Sequence, residues 1–145
     1  MIYLGSDHAG FYLKEAVKKY FDERDIAYED LGNHVFDTED DFPDFAKKVA
    51  MRVSGTKNQG ILFCGSAIGM VIAANKFTGI RAGAAFSDYM ARQAKEHDDV
   101  NVLVLAGRVI TTNQAKRYAG IWLKTRFSKQ SKYRRRVEKI KLFEK

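Results

Sequence analysis

Five short apolar runs alternate along this chain with stretches of helical period, and that alternation restricts the fold more than any other feature. The runs are Met1–Gly5, Ile26–Leu31, Gly60–Cys64, Ile80–Ala85 and Val100–Ala106. Gly-Ile-Leu-Phe-Cys (60–64) is the clearest of them: it is continuously apolar, as a strand covered on both faces must be, and it stops at Gly65. Between the runs, Leu13, Val17, Tyr20 and Phe21 fall on one face of a helix from about Gly10 to Arg24. Further helices are expected through Phe45, Val49 and Val53, over Ser87–Glu96 and over Thr111–Lys124, while Ser66–Lys76 reads as a loop entering a helix. The tail reads as a last helix with Val137 and Ile140 on an apolar stripe. Strands alternating with helices imply right-handed crossovers and a mostly parallel sheet covered on both faces. The expectation is a single doubly wound α/β domain over residues 1–145, with neither linker nor internal repeat.

The chain has 145 residues, 46% of them hydrophobic and 30% charged, enough apolar material for one real core. No run approaches the ~18–20 apolar residues of a membrane span, and Met-Ile-Tyr-Leu-Gly-Ser-Asp does not look like a secretory signal. One cysteine excludes an intramolecular disulfide, and with three scattered histidines it leaves little for structural zinc. A reducing cytoplasm is the default compartment. The net charge of +7 is uneven: residues 129–145 hold eight Lys/Arg against two Glu, whereas the body holds seventeen against sixteen. Such a tail can meet phosphate on nucleic acid, on a lipid surface or on a small metabolite, or can be a solvated helix face. A neutral body and the core-like Val137 and Ile140 argue against a nucleic-acid module.

In an open parallel sheet, ligands bind beyond the carboxyl ends of the strands. On that rim stand Asp7-His8, an acidic segment around Pro43, Cys64-Gly65-Ser66-Ala67-Ile68-Gly69-Met70, and Gly107-Arg108. A thiol at a loop entering a helix N-terminus is expected to have its pKa lowered, and the same loop offers main-chain N–H groups to an anion. Cys64 is therefore either a base beside an anion hole or a small core residue. Asp7 either caps the first helix or works with His8 as acceptor and titratable donor. His97, before Asp98-Asp99, can answer a helix dipole or act in catalysis. Lys132 and Arg136, at i and i+4, share one face of the tail helix. The Cys64 loop has neither the Lys-Ser/Thr ending of a P-loop nor a Gly-x-Gly-x-x-Gly pattern, so nucleotide binding is weakly supported.

Seven ordered motifs spread over nearly the whole chain resemble the ribose-5-phosphate isomerase type B family, which also includes the galactose-6-phosphate isomerase subunits. They are Gly-Ser-Asp-His-Ala-Gly (5–10), Asp-Phe-Pro-Asp-Phe-Ala (41–46), Gly-Ile-Leu-Phe-Cys-Gly-Ser-Ala-Ile-Gly-Met (60–70), Ala-Ala-Asn-Lys-Phe-Thr-Gly-Ile-Arg-Ala (73–82), Lys-Glu-His-Asp-Asp-Val-Asn-Val-Leu (95–103), Gly-Arg-Val-Ile (107–110) and Arg-Arg-Val-Glu-Lys-Ile (135–140). The resemblance implies a Rossmann-like αβα sandwich, a homodimer or dimer of dimers with sites shared between subunits, and no metal, cofactor, nucleic acid or membrane. It implies aldose–ketose isomerisation of a sugar phosphate through a cis-enediolate. Cys64 matches the catalytic base, Ser66 and the loop Gly65, Ala67, Ile68, Gly69 and Met70 match the anion hole, and Asp7 matches the residue that holds the sugar hydroxyls. His97 matches the ring-opening histidine, with Asp98 after it. Asp41 matches a carboxylate near the sugar oxygens. His8 and Arg108 match phosphate-side positions, and Lys132 and Arg136 match basic residues reaching the neighbouring subunit's phosphate.

Five residues depart from the family pattern. Ser66 stands for a usual Thr, Ala67 for a Gly, Phe42 for a Tyr, Asp98 for an Asn and Lys132 for an Arg. They leave the reaction class in place. Ribose 5-phosphate leads as substrate, with a six-carbon sugar phosphate (allose or galactose 6-phosphate) or a catalytically degenerate subunit as alternatives.

Overall fold

The computed structural model describes residues 1–144. Its centre is a five-stranded, all-parallel sheet in the order β2-β1-β3-β5-β4, with β1 Ile2–Ser6, β2 Tyr28–Asp30, β3 Gln59–Cys64, β4 Ala82–Ala84 and β5 Val102–Ala106. Six helices accompany it: α1 Phe11–Glu23, α2 Phe42–Val53, α3 Ile68–Ala74, α4 Asp88–Glu96, α5 Thr112–Lys124 and α6 Ser131–Lys141. One core packs β1, β3 and β5 against α1 and α5 through residues such as Leu4, Phe21, Phe63, Leu105 and Trp122. The other packs the opposite sheet face against α2 and α3 through Val49, Val53, Leu62, Met70 and Val104. This is the expected Rossmann-like αβα sandwich, and the strands buried on both faces are the continuously apolar ones.

The two edge strands are shorter than their apolar runs, three residues each. At β4 the reason is local. Gly79 is left-handed at φ +81°, and Ile80 N–H closes a turn onto Phe77 O at 3.2 Å. Past that point the Asn75 side chain accepts from Ala82 N–H at 2.8 Å and donates to Ala82 O at 3.0 Å. It satisfies the free edge as a neighbouring strand would. The tail helix also differs from expectation: Val137 is buried, but Ile140 is 46% exposed, so no continuous apolar stripe forms. Lys145 lies outside the described residues.

The chain moves from β1 outward to β2 and then returns to β3 on the other side of β1. The gap between the carboxyl ends of β1 and β3 is therefore the switch point of the sheet, where a crevice opens in folds of this kind. No helix is long and apolar enough to cross a membrane among the described residues.

Candidate active site

Three loops meet above the switch point, and glycines let them touch. The 3-10 turn His8–Gly10 follows β1, Gly65 follows β3, and Gly107-Arg108 follows β5. A Cβ on Gly10 would stand 2.2 Å from the Phe63 carbonyl carbon, and one on Gly107 would stand 2.2 Å from Ala9 O. Gly107 N–H donates to Cys64 O at 2.5 Å and Arg108 N–H to Gly65 O at 3.0 Å. The Arg108 side chain lies over Gly65 beside Ala9. Asp7, His8, Cys64, Gly65 and Arg108 thus share one rim, as expected.

Asp7 does cap: its Oδ1 accepts from Gly10 N–H at 3.1 Å. The carboxyl is also mostly buried, and burial, only partly offset by the Gly10 and Ala9 amides and His8, raises its pKa. Cys64 is 5% exposed and belongs to the α2/α3 core, yet the main-chain N–H groups of Met70, Ala67 and Ser66 face its sulfur. The expected lowering of its pKa is not found. Burial pushes the thiol up, and the negative Asp7 pushes the same way, against those three amides. The sequence argument relied on a helix dipole, but α3 has only seven residues and a correspondingly small one.

The loop after Cys64 divides into main-chain and side-chain roles. Ala67 is left-handed at φ +73°, as a family glycine position would suggest. Ser66 is exposed, and its Oγ accepts weakly from Ile68 N–H at 3.4 Å. The Ile68 side chain is exposed, and Gly69 is covered by the ring of Phe42. The Met70 side chain is fully buried in the core, so its part in the expected anion-hole loop falls to its N–H.

Beside the expected Asp41, the acidic segment supplies a second carboxylate, Asp40, bonded to His8. Asp41 is exposed and makes no side-chain cap for α2. Asp40 instead accepts from His8 Nδ1 at 2.7 Å, from His8 N–H at 3.2 Å and from Asn33 Nδ2 at 3.1 Å. Asp40 was missed because five acids between residues 37 and 44 show no periodicity that would single one out. Asp7, His8 and Asp40 bring atoms within 4.8 Å of one another, but Asp7 and Asp40 are each committed to the hydrogen bonds just given. His8 and Asp40 are hydrogen-bonded to each other, while Asp7 is held by Gly10 N–H.

The remaining candidates lie elsewhere in the chain. A right-handed crossover returns α4 from the carboxyl end of β4 to the amino end of β5, so His97 and Asp98 sit at the amino ends of the strands. The contacts agree: Val100 N–H donates to Ala94 O, and Asn101 N–H to Arg81 O just ahead of β4. A six-residue β3 separates the two ends by about 20 Å. His97 stacks on Tyr133 of α6, with ring centroids 3.9 Å apart and planes 10° apart. Lys132 Nζ and the Arg136 guanidinium approach the same Tyr133 ring at 5.0 and 5.6 Å. Tyr133 was not singled out in the sequence; the signal was its place between two basic residues at i, i+4. The candidates therefore form two groups: Asp7, His8, Cys64–Met70 and Arg108 at one end of the sheet, and His97, Asp98, Lys132 and Arg136 at the other.

Known proteins resemble this chain over nearly its full length. The profile of the Ribose/Galactose Isomerase family matches residues 2–140. A putative sugar phosphate isomerase of Bacillus subtilis is 39% identical over 142 residues, covering 97% of this chain and 95% of the relative. Ribose-5-phosphate isomerase B of Escherichia coli is 37% identical over 144 residues, covering 99% and 95%. Among solved structures, ribose-5-phosphate isomerase B of Mycoplasma genitalium with bound ribulose-5-phosphate superposes with a TM-score of 0.93 at 36% identity, covering 98% of this chain and 94% of that one. The Thermotoga maritima enzyme does so at 0.92 and 41% identity, covering 97% of each. With its motifs in order, its strand topology shared and its length matched, the chain belongs to the ribose/galactose isomerase family.

Proposed function

We propose that this protein interconverts ribose 5-phosphate and ribulose 5-phosphate, in sites each assembled from two copies of the chain. The observation that carries this is Cys64, whose sulfur stands at the switch point of the sheet facing main-chain N–H groups of its own loop. The relative from Mycoplasma genitalium, with ribulose-5-phosphate bound, supports the choice of substrate.

In this reading the Cys64 thiolate removes the proton on C2 of the open-chain aldose. The C2–H electrons form the C1–C2 double bond, and the carbonyl π electrons move onto O1. Loop N–H groups from Gly65 to Met70 receive that developing charge, worth most where water is excluded. The Cys64 thiol then returns the proton to C1 while the hydroxyl proton passes from O2 to O1, giving the ketose with nothing gained or lost. Asp7 holds sugar hydroxyls, and the phosphate lies toward His8 and Arg108.

A second copy supplies the rest. His97 is about 20 Å from Cys64 within one chain, too far to open a sugar ring that Cys64 then attacks. An antiparallel pairing of two chains brings the amino-end group of one onto the carboxyl-end group of the other. Lys132 and Arg136 then reach the phosphate from α6, and His97 reaches the ring oxygen. The face beside the short edge strand β4 suits such a pairing. Ile68 and Ile72 on α3 and Phe86 after β4 are exposed there around a groove of about 390 Å³. A homodimer, or a dimer of dimers, in the cytoplasm is the assembly inferred.

The test is turnover by the purified protein with ribose 5-phosphate, beside allose and galactose 6-phosphates, in deuterated water. Ribose 5-phosphate should be the best substrate, with deuterium entering at C1 of the ketose. Cys64→Ala should lose at least about 10³-fold in kcat while keeping its fold. Full activity of Cys64→Ala would remove the proposed base.

A further inference from the structure

The proposed reaction asks His97 to reach the ring oxygen of a sugar, so the direction in which its imidazole points matters as much as its place in the chain. His97 closes α4, where its N–H donates to Gln93 O at 3.0 Å. That bond fixes the backbone and leaves the two side-chain torsions free. Nδ1 of His8 is held by Asp40 at 2.7 Å, whereas neither ring nitrogen of His97 is hydrogen-bonded among the described residues. What meets the His97 imidazole is the face of Tyr133, with ring centroids 3.9 Å apart and planes 10° apart.

Tyr133 is seated by contacts that do not involve His97. On α6 it is half-buried and stands one turn before the buried Val137, so the two share the face turned to the body of the protein, while Lys132 and Arg134–Arg136 are exposed. The segment leading into α6 is tied to the residue beside His97, since Ser128 N–H donates to Glu96 O at 2.9 Å. Beyond α6, Glu144 Oε1 accepts from Gly79 N–H at 2.8 Å. A stack also differs from a hydrogen bond in what it consumes. A carboxylate that positions an imidazole occupies one ring nitrogen, as Asp40 does at His8. A ring lying on the imidazole face occupies neither, because both nitrogens bond outward in the ring plane.

We propose that Tyr133 is a positioning residue whose ring orients His97 by the face, leaving one imidazole nitrogen open to the sugar and the other to solvent. This rests on the reading above that gives His97 the ring-opening step. In that step the anomeric hydroxyl loses its proton and its electrons form the C1 carbonyl. The bond from C1 to the ring oxygen breaks onto that oxygen, which takes a proton from His97. The nitrogen facing the sugar delivers that proton, and the free nitrogen lets the ring exchange protons with water. Lys132 Nζ and the Arg136 guanidinium approach the same Tyr133 ring at 5.0 and 5.6 Å, so one aromatic side chain supports both the ring-opening group and the phosphate clamp.

Turnover of ribose 5-phosphate by the full chain, read beside inhibition by inorganic phosphate, separates the two supports. Tyr133→Leu keeps an apolar side chain on α6 but removes the flat face. Its kcat should fall about tenfold, while the phosphate inhibition constant should rise by less than that. Tyr133→Phe keeps the face and should retain most of the turnover. The stack has a signature of its own in NMR spectra of the histidine rings. The ring current of Tyr133 should move the His97 imidazole C–H resonances upfield in the wild type and in Tyr133→Phe but not in Tyr133→Leu, with His97→Ala identifying them among the three histidines. Unchanged kcat in Tyr133→Leu, an equal loss in Tyr133→Phe, or a change confined to the phosphate constant overturns the inference. So does an unshifted His97 in the wild type, which decides the matter should Tyr133→Leu fail to fold. Full turnover by His97→Ala removes its ring-opening role, and the inference falls with that reading. Near-background turnover by His97→Ala beside unchanged kcat in Tyr133→Leu sinks the inference alone.

Discussion

At the scale of single residues, the chemistry turns on how each side chain is enclosed. Cys64 is a candidate base whose thiol is harder to ionise than a free one, because burial and Asp7 outweigh three facing amides. A raised pKa means that the thiolate appears only as pH climbs past the ordinary thiol range. Alkylation of the ligand-free protein by iodoacetamide should follow a pH midpoint above the ~8.5 of a free thiol; a midpoint below it would show that the amides win. Ala67 holds φ +73° in a loop where the family pattern has glycine. Ala67→Gly should therefore be neutral or stabilising by up to about 1 kcal/mol in urea denaturation, the reverse of the usual cost of glycine. The residues that end strands, Asp7, Cys64 and Arg108, were legible in the sequence because the end of an apolar run in a parallel sheet is also a place on the rim. Asp40 and Tyr133 were not, since their roles depend on Asn33 and His97 reaching them from other segments. Lys14 was equally hidden: it reads as a solvated helix position and is in fact sealed against Asp30.

At the scale of elements, the site depends on loops pressed together without side chains between them. Gly10→Ala would drive a methyl into the Phe63 carbonyl carbon, a backbone atom that cannot swing aside. The expected cost is about 3 kcal/mol or more, measured as a fall in the denaturation midpoint. Gly69→Ala is the instructive contrast, since its methyl would meet only the movable ring of Phe42. Central strands were legible to within a residue or two, because β1, β3 and β5 are buried along most of their length and mostly apolar. The edge strands were read too long. Apolar character alone does not reveal that Asn75 satisfies Ala82 or that Gly79 turns the chain before β4. The α6 stripe failed for a related reason, as one buried Val137 holds the helix while Ile140 and Phe143 stay open.

At the scale of the whole molecule, crossover handedness decides what a single chain can do. It delivers Cys64 to one end of the sheet and His97 to the other, so the candidate residues of one folded chain form two separate groups rather than one cluster. That division was available from the order of strands and helices alone, since a crossover helix must end near the amino end of the next strand. The family resemblance supplied the roles, but the geometry sorts them. The most direct measurement mixes two variants, Cys64→Ala and His97→Ala, each damaged in a different half. Unfolded and refolded together, they form mixed dimers carrying one intact site and one doubly damaged site. Random pairing should restore about a quarter of wild-type turnover, while each variant alone stays near background. Activity in the mixture no greater than the sum of the separate variants would contradict a site shared between two chains.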